Sequence, residues 1–224
     1  MKPPQRDSVA WALLWRYGCH AAMLGLSLLT EGRPAPALPD TVLDHLPRVA
    51  WIADHNWWLW VACYFPPALL LWRRDRAAFV RFLWIGGAVS LLRGLCVGLT
   101  GLGPADGPDV NVGMGGNAGV NGAALFHAWL TLINPFSTLF GNAAQVYLTK
   151  DLFFSGHASS TFLLWLYCRG RGWLGPLALA GHLATVAVVL LAHLHYTIDV
   201  VGAWAITWSV YTLAERRWPA AAAR

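Results

Sequence analysis

Residues 173–193 read WLGPLALAGHLATVAVVLLAH, a run without a single Asp, Glu, Lys or Arg, and it is followed directly by Leu194-His195-Tyr196-Thr197-Ile198-Asp199. An α-helix needs roughly 20 mostly apolar residues to cross a bilayer, and this run is of that length. Its strongly polar side chains are His182 and, at its very end, His193. Five further stretches read the same way, at about 9–29, 55–72, 79–101, 152–168 and 199–215. The fold class expected is therefore all-α: a polytopic membrane protein of six transmembrane helices, forming a single domain over residues 1–224.

Composition agrees with that reading. Of the 224 residues, 57% are hydrophobic and only 12% charged, against about 25% charged in an average soluble domain. Fourteen Trp suit a chain whose indole rings settle where lipid tails meet head groups. The net charge of +5 is not gathered into a basic run interleaved with aromatics, so a nucleic-acid partner is not expected. Cys19, Cys63, Cys96 and Cys168 all fall within or at the ends of apolar stretches, at no metal-ligand spacing, and read as small apolar residues. Pro66 and Pro67 inside the second span predict a kink or a locally re-satisfied backbone there.

Basic residues set the orientation. Lys2 and Arg6, then Arg73, Arg74, Arg76 and Arg81, then Arg169 and Arg171, and finally Arg216, Arg217 and Arg224 all fall on one side of six crossings. The opposite side holds Arg33, Arg48 and Lys150 among Glu31, Asp40, Asp44, Asp54, Asp106, Asp109 and Asp151. Because cytoplasmic loops are enriched in Lys and Arg, both termini are expected in the cytoplasm; the Ala-, Arg- and Trp-rich composition is that expected of a bacterial inner-membrane protein. The first apolar stretch exceeds a signal-peptide core and is interrupted by Arg16, so it reads as a retained span. The outer loops are then about 30–54, 102–150 and 194–198. The loop over 102–150 contains a Gly/Asn-rich run from Gly113 to Gly122 and an apolar patch from Ala123 to Phe140. Loops this long are usually functional, and the patch is expected to lie at the interface or to re-enter over the site.

Ionisable groups at membrane depth are costly and point to function. Ser155-Gly156-His157 opens the fourth span, His195 to Asp199 opens the sixth, and Arg93 sits in the outer half of the third. Four residues apart, His195 and Asp199 would share one helical face, where the carboxylate fixes the imidazole tautomer and leaves the other ring nitrogen free. Gly156 allows close backbone approach, and a helix start favours phosphate through its free N–H groups. The topology brings both histidines to the non-cytoplasmic surface. Two histidines and one carboxylate suit metal-free phosphoryl transfer, with His195 as nucleophile, Asp199 as its orienter and His157 as acid/base partner. No metal and no cofactor are expected. Arg93 is read as either a site cation or a snorkelling or loop-paired residue, and His20 and His182 as interhelical hydrogen-bonding groups.

At these residues the chain resembles the sphingomyelin synthase family, a branch of the type-2 phosphatidic acid phosphatase superfamily. Pro36-Ala37-Leu38-Pro39-Asp40 with Asp44-His45, Arg81-Phe82 through Arg93 to Pro104, Asp151 to His157, and Leu191 to Val200 are similar to its four motifs in order. The resemblance implies a membrane enzyme that transfers phosphocholine or phosphoethanolamine from a glycerophospholipid donor to ceramide or diacylglycerol, with a phosphohistidine intermediate. It implies His157, His195 and Asp199 as catalytic residues, with Arg93, Asp151, Ser155, Gly156 and Tyr196 beside the substrate. The Arg that plain phosphatases of the superfamily carry six residues before the second catalytic His is Val189 here, and no Lys…Arg-Pro motif precedes the fourth span. A lipid phosphatase or phospholipase C-type hydrolase using the same triad is the alternative, and a non-catalytic lipid-binding protein a second. Homo-oligomerisation is left open.

Overall fold

The computed structural model describes residues 8–107, 122–134, 137 and 148–217. The Gly/Asn-rich run up to Asn121, parts of the apolar patch and both chain ends lie outside the described residues. Among the described residues every regular element is helical: α1 Val9–Glu31, α2 Thr41–His45, α3 Ala50–Arg74, α4 Arg76–Leu99, α5 Gly122–Ile133, α6 Gly156–Cys168, α7 Leu174–Leu191 and α8 Thr197–Arg217. All six expected spans are present as helices. Two of them, α4 and α7, are long and apolar enough to cross a membrane. In α1, α3 and α8 groups such as Arg16, Asp54 and Asp199 interrupt the apolar run, and α6 has only 13 residues.

Close packing rests on small side chains. Gly86, Ser90 and Gly94 recur every four residues on α4 and let α1 approach it, since a Cβ on Gly94 would lie 3.0 Å from the Met23 Cα. The Trp15 indole donates to the Trp84 carbonyl at 2.9 Å across the same interface. Helix α3 runs unbroken through Pro66 and Pro67. Pro67 has no N–H for the Cys63 carbonyl, and it is this carbonyl that faces Gly181 of α7, where an added Cβ would sit 2.7 Å from the oxygen. The backbone group freed by proline thus falls where another helix comes closest.

The core is a continuous apolar cluster that includes Leu71, Phe82, Leu164, Tyr167, Val189 and Ala203. The outer faces carry large apolar side chains too, among them Leu14, Trp58, Phe65, Leu183 and Leu213. Exposed apolar surface on this scale marks a lipid or protein contact.

The two ends of the bundle differ chemically. At one end Arg171 pairs with Asp75 at 2.6 Å and Arg81 with Glu215 at 3.3 Å, while Arg169 lies over the rings of Trp208 and Tyr211. Asp75 also caps α4 through the Ala78 N–H. These contacts gather the α3–α4 and α6–α7 junctions with the C-terminal end of α8, the groups expected on one side. At the other end the Arg33 guanidinium donates to the Val97 and Gly98 carbonyls at 2.6 and 2.8 Å, closing the C-terminus of α4 with a cation. Glu31 accepts from the backbone of Thr149 and Lys150, and so anchors to α1 the segment that leads into α6. Helix α5 lies along α1, where Trp129 donates to the Ala21 carbonyl at 2.8 Å.

Candidate active site

Helix α7 ends in a tight reversal. His193 adopts a left-handed conformation (φ 52°), its N–H bonds the Leu190 carbonyl, and the Leu194 N–H bonds the Val189 carbonyl. This paired arrangement satisfies the last helical carbonyls and swings the chain back toward the bundle. Leu194, His195 and Tyr196 follow in non-helical conformation before α8 starts at Thr197. Asp40 holds that start, accepting from the Thr197 N–H at 2.6 Å and its hydroxyl at 2.9 Å. These bonds, with those from Val42 and Leu43, outweigh partial burial and keep the Asp40 carboxyl below the ordinary carboxylate range.

The His195–Asp199 pair therefore differs from the expected one in detail. It does not share a helical face, because His195 lies two residues before the helix. The Asp199 carboxylate reaches back over the first turn instead, accepting from the Tyr196 N–H at 2.9 Å and meeting His195 Nδ1 at 3.3 Å. With a proton on Nδ1, the other nitrogen, Nε2, carries the lone pair. Asp199 is fully buried, and its Oδ1 has no hydrogen-bond partner among the described residues.

Helix α6 begins beside α8. Ser155 caps it by accepting from the Ala158 N–H, and its own N–H donates to the Asp199 carbonyl at 3.0 Å. That bond ties the two helix starts together and sets His157, in the first turn of α6, opposite His195. Their ring centres are 6.2 Å apart. Both rings line a cavity of about 450 Å³ together with Arg93, Asp151 and Gly156.

Arg93 is buried, and its donors are largely committed: Nε to the Phe154 carbonyl at 2.6 Å, NH2 to the Asp151 carbonyl at 2.7 Å and NH1 to the Asp151 carboxylate at 2.9 Å. Arg93 thus pairs with a loop acid, one of the readings open from sequence, while also lining the cavity. Burial alone would raise the Asp151 carboxyl, but the Arg93 guanidinium and the Ser27 hydroxyl hold it below the ordinary range. A Cβ on Gly156 would come within 3.2 Å of Arg93 Nε, so the glycine is where α6 and this guanidinium meet.

Two residues expected beside the substrate are set back from the cavity. Ser155 is fully buried in its capping role. Tyr196 is 2% exposed. Its hydroxyl accepts from the Leu38 N–H at 2.9 Å and lies 3.0 Å from the Pro104 carbonyl, bracing two outer segments. Non-helical residues follow no 3.6-residue period, so nothing in the sequence fixes which way this ring turns. His182, expected to bond between helices, does so: Trp204 donates to its Nε2 at 2.8 Å, and its Nδ1 meets the Thr161 hydroxyl at 2.9 Å.

Sequence reasoning passed over the aromatic wall of the cavity. Trp60 meets the His157 ring edge-on at 5.8 Å, with Trp57 and Tyr64 stacked or tilted beside it. The signal was present, since residues 57, 60 and 64 have the spacing of one helical face. Arg16, noted only as an interruption of the first span, also lines the cavity.

Comparison with known proteins places these elements in a family context. Residues 150–216, which contain both helix starts and the His157, His195 and Asp199 side chains, match the family described as PAP2 superfamily C-terminal. The phosphatidylcholine:ceramide cholinephosphotransferase 1 of Rattus norvegicus is 28% identical over 96% of this chain and 54% of its own length. The Homo sapiens protein of that name is 28% identical over 81% of the chain and 46% of its own length. Sphingomyelin synthase-related protein 1 of Homo sapiens is 29% identical over 81% and 45%. The resemblance read from the motifs thus extends over most of this sequence, and the chain spans about half the length of the curated relatives it matches.

Proposed function

We propose that this chain, similar along most of its length to ceramide cholinephosphotransferases, is itself a membrane phosphotransferase. It moves a phosphocholine or phosphoethanolamine head group from a glycerophospholipid to ceramide or diacylglycerol. The observation that carries the reading is two histidines facing each other across one cavity, one of them oriented by a buried carboxylate. In the proposed reaction the lone pair of His195 Nε2 attacks phosphorus, and the bond from phosphorus to the glycerol oxygen breaks. His157 delivers a proton to that oxygen, and diacylglycerol leaves. His157 then takes the proton of the acceptor hydroxyl, whose oxygen attacks the phosphohistidine and releases His195. Asp199 holds the reactive tautomer in both halves.

Further support comes from what surrounds the pair. The N–H groups of the first turn of α6 are the natural partners of phosphate oxygens. The cavity joins these polar groups to apolar walls such as Leu24, Phe82 and Leu163, as a lipid requires. On this reading α1, α3, α4, α6, α7 and α8 cross the membrane with both termini in the cytoplasm, and the site opens on the non-cytoplasmic face.

The test uses purified protein in mixed micelles with fluorescent ceramide and fluorescent diacylglycerol, offered phosphatidylcholine or phosphatidylethanolamine, beside His195→Ala. The expected result is a new phosphosphingolipid or phosphoglycerolipid that is absent with the variant, its head group naming the donor. Phosphate or head group released to water without a new lipid would instead establish a hydrolase. No product from any donor would overturn the catalytic reading.

A further inference from the structure

Arg16 stands about seven residues into α1, or about 10 Å from its start by the helical rise, and its guanidinium borders the same cavity as the histidines. Among the described residues it forms no ion pair. Its contacts are neutral: NH1 donates to the Gly86 carbonyl at 3.0 Å and to the Ser90 hydroxyl. A guanidinium has five N–H donors, and both hydrogens of NH1 are used by α4. Ser90 and Gly86 precede Arg93 by three and seven residues, so Arg16 lies about 5 to 10 Å along α4 from Arg93. The offset runs away from His157 and His195, toward the interior of the helix bundle. A full cation kept at this depth without a carboxylate is expensive, and such groups are retained for a ligand or a path.

We propose that Arg16 binds the acyl carbonyl oxygen of the lipid substrate and thereby sets its depth, an inference that rests on the phosphotransferase reading above. Lipid chemistry makes one cation sufficient for donor and acceptor. In a glycerophospholipid the carbonyl carbon of the central ester is reached from phosphorus through one oxygen, two carbons and one ester oxygen. In a ceramide phospholipid the amide carbonyl carbon is reached through one oxygen, two carbons and the amide nitrogen. The bond count is the same, so a phosphoryl group held between the histidines places either carbonyl at a similar distance, about one helical turn below. Each lipid then presents a carbonyl acceptor to unspent N–H donors, and a lipid with its head group correctly placed but its chains at another depth loses this contact.

Binding is measured with His195→Ala protein in detergent micelles, through quenching of the cavity tryptophans, so that turnover plays no part. Two pairs of lipids are compared: diacyl against dialkyl-ether phosphatidylcholine for the donor, and diacylglycerol against dialkylglycerol for the neutral lipid. A hydrogen bond to a charged group is worth about 1.5–3 kcal/mol, so loss of the carbonyl is expected to weaken binding at least about tenfold. The pair that shows the loss identifies which lipid is held. Arg16→Gln should weaken the ester lipids to the level of the ethers and leave the ethers unchanged. Equal binding of ester and ether lipids in both pairs, with Arg16 intact, overturns the proposal without recourse to a variant that must fold. Full ester preference in Arg16→Gln does so as well. Failure of the transferase reading shows separately, as absence of new phospholipid while ester preference persists.

Discussion

The Asp199 carboxylate performs two tasks with one oxygen, accepting the Tyr196 N–H and orienting His195. Asp199→Asn keeps the side chain's shape but can offer an N–H where His195 Nδ1 has its proton, which favours the wrong tautomer. Turnover is expected to fall by about 10²- to 10⁴-fold, with KM nearly unchanged because the residue does not line the cavity. A larger change in KM than in kcat would make Asp199 a binding group instead. Asp151 has a different part. Its removal would leave Arg93 buried without its carboxylate, and breaking a buried pair costs about 3–5 kcal/mol, so Asp151→Asn should lower thermal stability sharply in a detergent melt. The pH dependence follows from the sign of the shift. The folded-state carboxyl titrates below its unfolded value, so its contribution is complete above the ordinary carboxylate pKa of about 4. It is lost as pH falls through the lower, folded-state value. The melting temperature of the parent protein should therefore drop in acid by a component that Asp151→Asn lacks. His157, His195 and Asp199 were legible in the sequence because ionisable groups in apolar surroundings stand out. The inward turn of Tyr196 was not, since its direction depends on contacts with Leu38 and Pro104 from distant segments.

Helix pairing depends on a few glycines whose roles can be separated. Gly181 meets the Cys63 carbonyl that Pro67 leaves without a donor, and Gly202 faces the Phe153 ring, where a Cβ would lie 2.6 Å away. Backbone and a packed ring have little room to move, so Gly181→Ala and Gly202→Ala should each destabilise by about 1–3 kcal/mol through overpacking. Gly98, also helical, has nothing within 4 Å of an added Cβ. Gly98→Ala should be neutral or stabilising by up to about 1 kcal/mol. Thermal melts of the three variants check the ranking, and equal effects would sink the packing argument. At this scale apolar length and polar punctuation located the six long helices to within a few residues at most ends. The beginning of α6 is later than expected, at Gly156 rather than 152, because Ser155 caps it and Arg93 holds residues 151–154 outside the helix. The short α2 was hidden inside an outer loop. Its only local signal was Asp40, which caps it and serves α8 as well.

The bundle as a whole is polarised, with Arg171–Asp75 and Arg81–Glu215 at one end and both candidate histidines toward the other. If Arg-rich junctions stay in the cytoplasm, the proposed head-group exchange takes place on the opposite face, with its donor drawn from that leaflet. This orientation is testable without any activity. Asp44, in α2, and Arg76, at the start of α4, are both exposed and lie at opposite ends of the bundle. Single Asp44→Cys and Arg76→Cys variants, expressed in bacteria, are treated as intact spheroplasts with a membrane-impermeant maleimide. Cys19 and Cys168 are buried and Cys63 and Cys96 partly so, and all four belong to apolar helices, so the parent protein supplies the background. Asp44→Cys should be labelled directly, and Arg76→Cys only after the membrane is permeabilised. The reverse pattern would move the site to the cytoplasmic face and the donor to the inner leaflet, with the histidine geometry unchanged. Labelling of both positions in intact spheroplasts would break the six-crossing topology itself, because it would put the two ends of α3 on the same side. The orientation expected from sequence depends on where charges fall between apolar runs, and not on how any side chain packs.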